Sequence, residues 1–332
     1  MSSLTISDPI LAKDSTIVVS GANGFIASHI VDQLLAAGYR VRGTVRDAAK
    51  YSWLSAHFEK TYGPGRFTLH AVPEVTKNGA FDEVLKGADG AIHTIAITNM
   101  NPDPNAVVPP NVDATLSIAR SAASTPSLKR FVYTSSSGAA AMPTPNVPYE
   151  VNADTYNEQA VAIAYSGKGP GGLAGGYIAY SAAKTKAEQA LWKWYSEAKP
   201  GFTLNSIGIL KSLWQGHVSP EFVAMFPAQW FCDVVDIARI HIAALLFPDV
   251  QSERLIAYAG RFNINDILAV FRETQPSRNF PADLPDLGVD VGKIANERAT
   301  ELMKKLGGGK GWTSLEDCIA PLAKQYAASE AN

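Results

Sequence analysis

Thr16-Ile-Val-Val-Ser-Gly21-Ala-Asn-Gly24-Phe-Ile-Ala27 decides the fold. A short β-branched run passes straight into a glycine-rich turn and then into helix-forming sequence. Gly21 permits the tight turn, and Gly24 lets backbone approach an anion at the helix N-terminus, where free N–H groups and the helix dipole favour negative charge. Ala27 is the small residue needed where helix and strand pack closely. In this strand–turn–helix context the spacing predicts a pyrophosphate cradle of the dinucleotide-binding kind, with Asn23, Phe25 and Ile26 of the same turn as further candidate contacts.

Working outward, apolar β-branched runs recur at Arg40–Val45, Arg66–Val72, Gly90–Ile95, Arg130–Ser135 and Phe202–Ile207. Helix-like stretches begin between them near Gly24, Ala48, Asn78 and Asn105, and another spans Ser181–Glu197. This alternation implies an α/β fold, a Rossmann-type doubly wound parallel sheet, with ligands at the carboxyl edge of the strands. After Ile207 the rhythm changes, and Pro, Gly and Asp cluster at Pro276–Gly292 before two closing helices, Ile294–Leu306 and Leu315–Ala327. We therefore expect a mainly nucleotide-binding domain over residues 1–207 and a smaller C-terminal substrate-binding lobe over 208–332. Val234–Phe247 and Leu255–Ala259 are expected to return to the first domain. The Gly/Pro-bearing stretch Ser137–Gly176 reads as a surface excursion able to cover the site.

Composition narrows the classes of function. Of 332 residues 46% are hydrophobic and 18% charged, with a formal net charge of -2, so nothing favours nucleic acid or an anionic membrane as partner. Only Cys232 and Cys318 are present, which fits a reducing, cytoplasmic setting rather than a disulfide framework. Met1–Asp14 lack the charge and apolar pattern of a signal peptide, and no apolar run nears the roughly 18–20 residues that span a bilayer. The six histidines show no ligand-like pairing, so no metal is expected. His29, His93 and Cys232 read as ordinary fold residues, and Trp192 and Trp194 as packing residues.

The second strand ends Val45-Arg46-Asp47. An acid at this tip would bind the ribose 2′-hydroxyl of NAD, whereas an arginine accommodates the 2′-phosphate of NADP. Arg46 stands at the tip with Lys50 one turn on, so the cofactor read here is NADP(H), with Asp47 as a helix N-cap. In the competing reading Arg46 and Lys50 form a solvated face and Asp47 holds the ribose.

Tyr180-Ser-Ala-Ala-Lys184 opens a helical segment and sets phenol and ammonium one turn apart on one face. A free phenol has a pKa near ~10. A fixed cation nearby is expected to lower it and make Tyr180 a proton shuttle. Tyr133-Thr-Ser-Ser136-Ser-Gly138 places hydroxyls at the sheet's ligand edge, where one can hold a carbonyl oxygen.

Glycine turn, Thr-Ser-Ser strand end and Tyr-x-x-x-Lys helix, in this order, resemble the extended short-chain dehydrogenase/reductases. TIVVSGANGFIASHIVDQLL, YRVRGTVRD, KRFVYTSSS, YSAAKTKAEQALWKW and GWTSLED are similar to the fungal carbonyl and aldehyde reductases, relatives of dihydroflavonol and cinnamoyl-CoA reductases, over nearly the whole chain. The resemblance implies a triad of Ser136, Tyr180 and Lys184, with Lys184 also on the nicotinamide ribose. It implies hydride transfer from NADPH to a ketone or aldehyde, a small-molecule carbonyl substrate, and a monomer or homodimer. Tyr177 is a decoy, since its i+4 residue is Ser181. Phe226 and Gln229, in Met225-Phe-Pro-Ala-Gln-Trp-Phe231, match a stretch that lines the family's substrate cavity.

The chain departs from the family's pattern near the adenine site, where Glu74 and Val75 stand in place of the usual Asp, while the small residue after strand four remains as Ala96. The larger departure follows strand six: Leu204-Asn-Ser-Ile207 runs directly into Gly208–Trp214, which reads as the start of the next helix, and the usual substrate loop is missing. Either the loop is absent from the protein or residues are missing here. We expect the latter, and so a chain break between Ser206 and Leu210. Two other functions share these motifs: an NAD-dependent nucleotide-sugar epimerase or dehydratase, and a dinucleotide-sensing regulator without turnover. Arg46 argues against the first and the intact Tyr/Lys pair against the second.

Overall fold

The computed structural model describes Leu4 and residues 6–209, 228–306 and 309–330. Seven parallel strands form one sheet in the order β3-β2-β1-β4-β5-β7-β9: β1 Thr16–Ser20, β2 Arg40–Val45, β3 Phe67–Ala71, β4 Gly90–His93, β5 Arg130–Thr134, β7 Thr203–Ile209 and β9 Arg254–Ala257. Between them run α1 Phe25–Ala36, α2 Ser52–Tyr62, α3 Asp82–Leu85, α4 Pro104–Ala123, α5 Glu158–Tyr165, α6 Gly172–Ala198 and α7 Val234–Leu246. β4 and β5 are buried at every position, and their inner residues, Ala91-Ile92 and Phe131-Val132-Tyr133, are apolar.

Each face of the sheet is sealed by its own core. Ile30 and Leu34 of α1, Leu54 and Phe58 of α2, and Ile240 and Ala244 of α7 pack on one side. Val84 of α3, Ile118 of α4 and Leu191 of α6 close the other. α9 (Glu297–Leu306) adds Leu302 and Met303 to the first core, so this late helix lies with the main sheet.

The remaining elements form small appendages at the carboxyl edge. β8 (Ala228–Phe231) pairs antiparallel with β10 (Gly260–Asn263), and β6 (Glu150–Val151) pairs parallel with β11 (Lys293–Ile294). α8 (Ile264–Thr274) packs with α10 (Leu315–Glu330) around Ile267 and Ile319. The β6–β11 ladder takes Lys293 and Ile294, so the helix expected from Ile294 begins at Glu297.

Three expectations are corrected. α6 starts at Gly172, not at Tyr180, so the Tyr/Lys pair lies inside a helix of 27 residues. Its glycine-rich first turns look like loop sequence, but the glycines serve close approach: a Cβ on Gly176 would lie 2.2 Å from the Met100 carbonyl oxygen. α2 begins at Ser52 rather than near Ala48. Finally, β7 continues through Gly208 and Ile209, in register with Ile256 and Ala257 of β9. Gly208 and Ile209 take strand geometry because β9 supplies the ladder partners; Leu210, where the stretch expected to hold a chain break ends, the rest of the expected helix, and Phe226 lie outside the described residues.

Candidate active site

Parallel strands bring the tips of β1, β2, β4 and β5 to one edge, and the sequence candidates gather there. Gly21 has φ +68°, and a Cβ on it would sit 3.0 Å from Ile95 Cγ1, so glycine is required on two counts. Gly24 N–H donates to the Gly21 carbonyl at 2.8 Å and is the N-cap of α1. No side chain caps α1 and no acid stands in its first turn, which leaves its N–H groups for an anion. A Cβ on Gly24 would lie 3.1 Å from the Gly21 carbonyl oxygen. These residues fit a dinucleotide pyrophosphate. Ala27 is fully buried beneath the turn, as its packing role requires.

Beside the turn, Arg46, Asp47 and Lys50 are all exposed. The Asp47 carboxylate accepts from the backbone N–H groups of Ala49 and Lys50 at 3.0 and 3.1 Å. It therefore caps a turn ahead of α2 rather than the helix itself, and that carboxylate oxygen is directed at its own backbone. Glu74 is exposed and pairs with Lys77 at 3.8 Å, while Val75 packs on the core around Phe81. Ala96 lies in the loop after β4. Asn111 of α4 pins that loop, accepting from Ile97 N–H at 2.9 Å and donating to the Ile97 carbonyl at 3.2 Å.

At the tip of β5 the candidates are buried. Ser136 starts a single 3-10 turn, and its hydroxyl accepts from Gly138 N–H at 3.2 Å. A Cβ on Gly138 would come within 2.6 Å of Ser181 Oγ, so this glycine lets the strand end meet α6. Burial raises the Tyr180 pKa, and the neighbouring Ser136 hydroxyl works the other way. The expected lowering by Lys184 is not what the structure has. The Lys184 ammonium is itself buried, donating to the Tyr133 hydroxyl and the Thr134 carbonyl, both at 2.7 Å. Desolvation pushes its pKa down to about 7, against the pull of Glu188.

One turn beyond Lys184, Glu188 is fully buried and accepts from Ser135 and Ser206, each at 2.6 Å, and from Arg254 Nε and Nη2 at 3.0 and 3.1 Å. Arg254 Nη1 donates to the Thr155 carbonyl at 2.6 Å, and its guanidinium stacks over Tyr156 at 4.3 Å. This pair ties Ser135, the neighbour of Ser136, to α6, β9 and the excursion after β5. Its one sequence signal is an acid four residues after Lys184 on a helix face otherwise small and apolar; Arg254 has none, because β9 is distant in the chain.

Two buried histidines hold the framework. His241 Nδ1 donates to the Ile237 carbonyl at 2.7 Å, which leaves Nε2 to accept from the Thr134 hydroxyl at 2.7 Å. His93 Nδ1 meets the Ser20 hydroxyl at 2.8 Å, and its ring stacks on Tyr133. Burial lowers His241 to about 4 and His93 to about 3, so both are neutral. Trp192 donates to Ser206, and Trp194 packs near Phe202. Cys232 is buried with its thiol pushed well up, which makes it inert.

A pocket of about 330 Å3, counting its open mouth, adjoins Ser136 through Ser137. Tyr149, Tyr177, Trp230, Tyr258 and Asp290 line it, and so does Gln229, the sequence candidate. Tyr177 is more than a decoy: its ring lies 6.3 Å from that of Tyr180, and it forms part of the pocket wall. Tyr149, Tyr258 and Asp290 escaped the sequence reading because each comes from a different irregular segment. Among the described residues no three His, Cys, Asp or Glu side chains are grouped to hold a metal ion, and no helix is long and apolar enough to cross a membrane.

The profile of the NAD dependent epimerase/dehydratase family matches residues 17–165. Aldehyde reductase 2 of Sporidiobolus salmonicolor is 38% identical, with 96% of this chain and 97% of that protein covered. The alignment runs over 338 positions, more than the 332 residues present here, so that relative carries residues without a counterpart in this chain. Ketoreductase adrE of Penicillium rubens is 33% identical over 92% of this chain and 95% of its own. The structure of Gre2 from Candida albicans in complex with NADPH superposes with a TM-score of 0.78 at 22% identity, covering 95% and 99% of the two chains. The chain belongs to the NAD dependent epimerase/dehydratase family, that is, the extended short-chain dehydrogenase/reductases, and is an oxidoreductase.

Proposed function

We propose that this protein reduces ketones or aldehydes to alcohols with NADPH, using Ser136, Tyr180 and Lys184. The observation that carries the reading is the buried Lys184 ammonium one helical turn from Tyr180 on α6, with the buried Ser136 at the end of β5 and an aromatic pocket that begins at its neighbour Ser137. Curated relatives named aldehyde reductase and ketoreductase, similar over more than nine-tenths of the chain, support it.

The bound nicotinamide supplies the hydride. Gly21, Asn23, Gly24, Phe25 and Ile26 would cradle the pyrophosphate, Arg46 and Lys50 the 2′-phosphate, and Glu74, Val75 and Ala96 the adenine side. Asp47, with a carboxylate oxygen already engaged by backbone N–H groups, supports NADPH over NADH. The Ser136 hydroxyl orients the carbonyl oxygen. Tyr180, a neutral phenol at working pH because burial raises its pKa, donates its proton to that oxygen. Lys184 has used two of its three N–H groups on the protein, and the third is available to the nicotinamide ribose. Among the described residues Asp290 is the only charged side chain on the pocket wall, which favours neutral carbonyl compounds over keto acids.

The test is NADPH consumption against a panel of aldehydes, aryl ketones and β-keto esters, with chiral analysis of the alcohols. Turnover of at least one neutral carbonyl class, with NADH much poorer, is expected. Tightly bound NAD that copurifies and is retained through turnover would move the protein to the epimerases.

A further inference from the structure

We propose that Tyr133 is a positioning residue for Lys184, its phenol holding the lysine ammonium at the angle from which it serves the site. Tyr133 sits in β5, an interior strand of the sheet, and is fully buried. Lys184 Nζ donates to its hydroxyl at 2.7 Å, and the ammonium lies 4.3 Å from the centre of the same ring. That oxygen accepts from Lys184, and Thr115 on α4 is the neighbouring hydroxyl that acts on the phenol. The Thr115 hydroxyl donates to the Asn111 carbonyl at 2.9 Å. Asn111 is the residue that pins Ile97 beside the candidate cofactor loop.

The groups facing Lys184 explain why the phenol matters. β4 presents His93, which is neutral and makes no ion pair. On its own helix, Tyr180 is a neutral phenol, and Glu188 is committed to Arg254, Ser135 and Ser206. From α7, His241 reaches only the Thr134 hydroxyl and is neutral as well. The charged form of Lys184 is therefore hydrogen-bonded to two oxygens, the Thr134 carbonyl and the Tyr133 hydroxyl, with Glu188 adding a longer-range pull. Removing one of them disfavours the ammonium relative to the amine, so the lysine should titrate at lower pH.

Tyr133→Phe keeps the ring against His93 and deletes only the hydroxyl. The titration of Lys184 is followed by NMR in lysine-labelled protein without cofactor, with Lys184→Met for assignment. Its midpoint should fall by about one pH unit, the scale of one lost hydrogen bond to a charged group. In turnover, which rests on the reductase reading, the alkaline limb of kcat should move down by the same interval, with KM for the ketone within about threefold. An unchanged Lys184 midpoint in folded Tyr133→Phe overturns the proposal, whatever happens to stability. If Tyr133→Phe does not fold, Thr115→Val leaves the phenol in place and removes the hydroxyl that acts on it; a smaller shift in the same direction supports the proposal, and none refutes it. Absence of turnover in the wild type would sink the reductase reading while leaving the NMR titration to decide this one.

Discussion

At the tips of β2 and β3 the candidate charges of Arg46, Lys50 and Glu74 stand in water, whereas at the tip of β5 Ser136, Lys184 and Glu188 are buried. The first group meets its partners locally: Asp47 bonds backbone two and three residues on, and Glu74 pairs three residues on. The second is assembled from β5, α6, β7 and β9, with Arg254 and Glu188 66 residues apart in sequence. The contrast teaches where each kind of specificity resides. Exposed charge selects a phosphate by a screened attraction that many surfaces could supply. Buried groups act unscreened, and each needs all its partners, so the buried end is the costlier one to disturb.

The largest expected effect tests the buried end directly. Tyr180→Phe should bind NADPH as the wild type does but lose roughly 10²–10⁴ in kcat, because only the proton donor is removed. Single-turnover rates and NADPH fluorescence separate the two; activity within a few-fold of wild type would dissolve the proposed triad.

Next comes the buried ion pair. Glu188→Ala leaves the Arg254 guanidinium, with a side chain 4% exposed, without its carboxylate. A loss of about 3–5 kcal/mol in unfolding free energy is expected from urea titration. A loss below about 1 kcal/mol would mean the pair is replaceable, and the contrast between the two ends would be weaker than drawn here.

His93 and His241 give the comparison a pH dependence. Both have folded pKa values below the unfolded value near ~6.5, so the unfolded chain binds more protons in the interval. Their contribution is full above that value and is lost as pH falls toward about 4 for His241 and about 3 for His93. Moving from pH 7.5 to 5 should cost about 2 kcal/mol for each at fixed ionic strength. His241→Gln, which cannot titrate, should remove about half of the slope of urea midpoint against pH.

The exposed end should respond least. Arg46→Ala is expected to weaken NADPH about tenfold and NADH hardly at all, because a charge-assisted contact exists with only one of them. High salt should shrink that difference. Equal losses for both cofactors would return the ribose to Asp47.

Much of this was legible before the chain was folded. The glycine turn, the strand alternation and the Tyr180–Lys184 spacing are local patterns, and local backbone geometry reads them: φ +68° at Gly21, or one helical turn between phenol and ammonium. Sequence alone therefore determined the fold class, the ligand edge of the sheet and the members of the candidate triad. Only the tertiary structure decided their electrostatics. It showed that burial raises Tyr180 while Lys184 spends its charge on Tyr133 and Thr134, and that β7 runs on through Ile209 because β9 lies beside it. It also placed Arg254 against Glu188 and gathered Tyr149, Tyr258 and Asp290 around one pocket. Desolvation and hydrogen-bond partnership depend on what surrounds a group in space, and residues many positions away in the chain supply those surroundings.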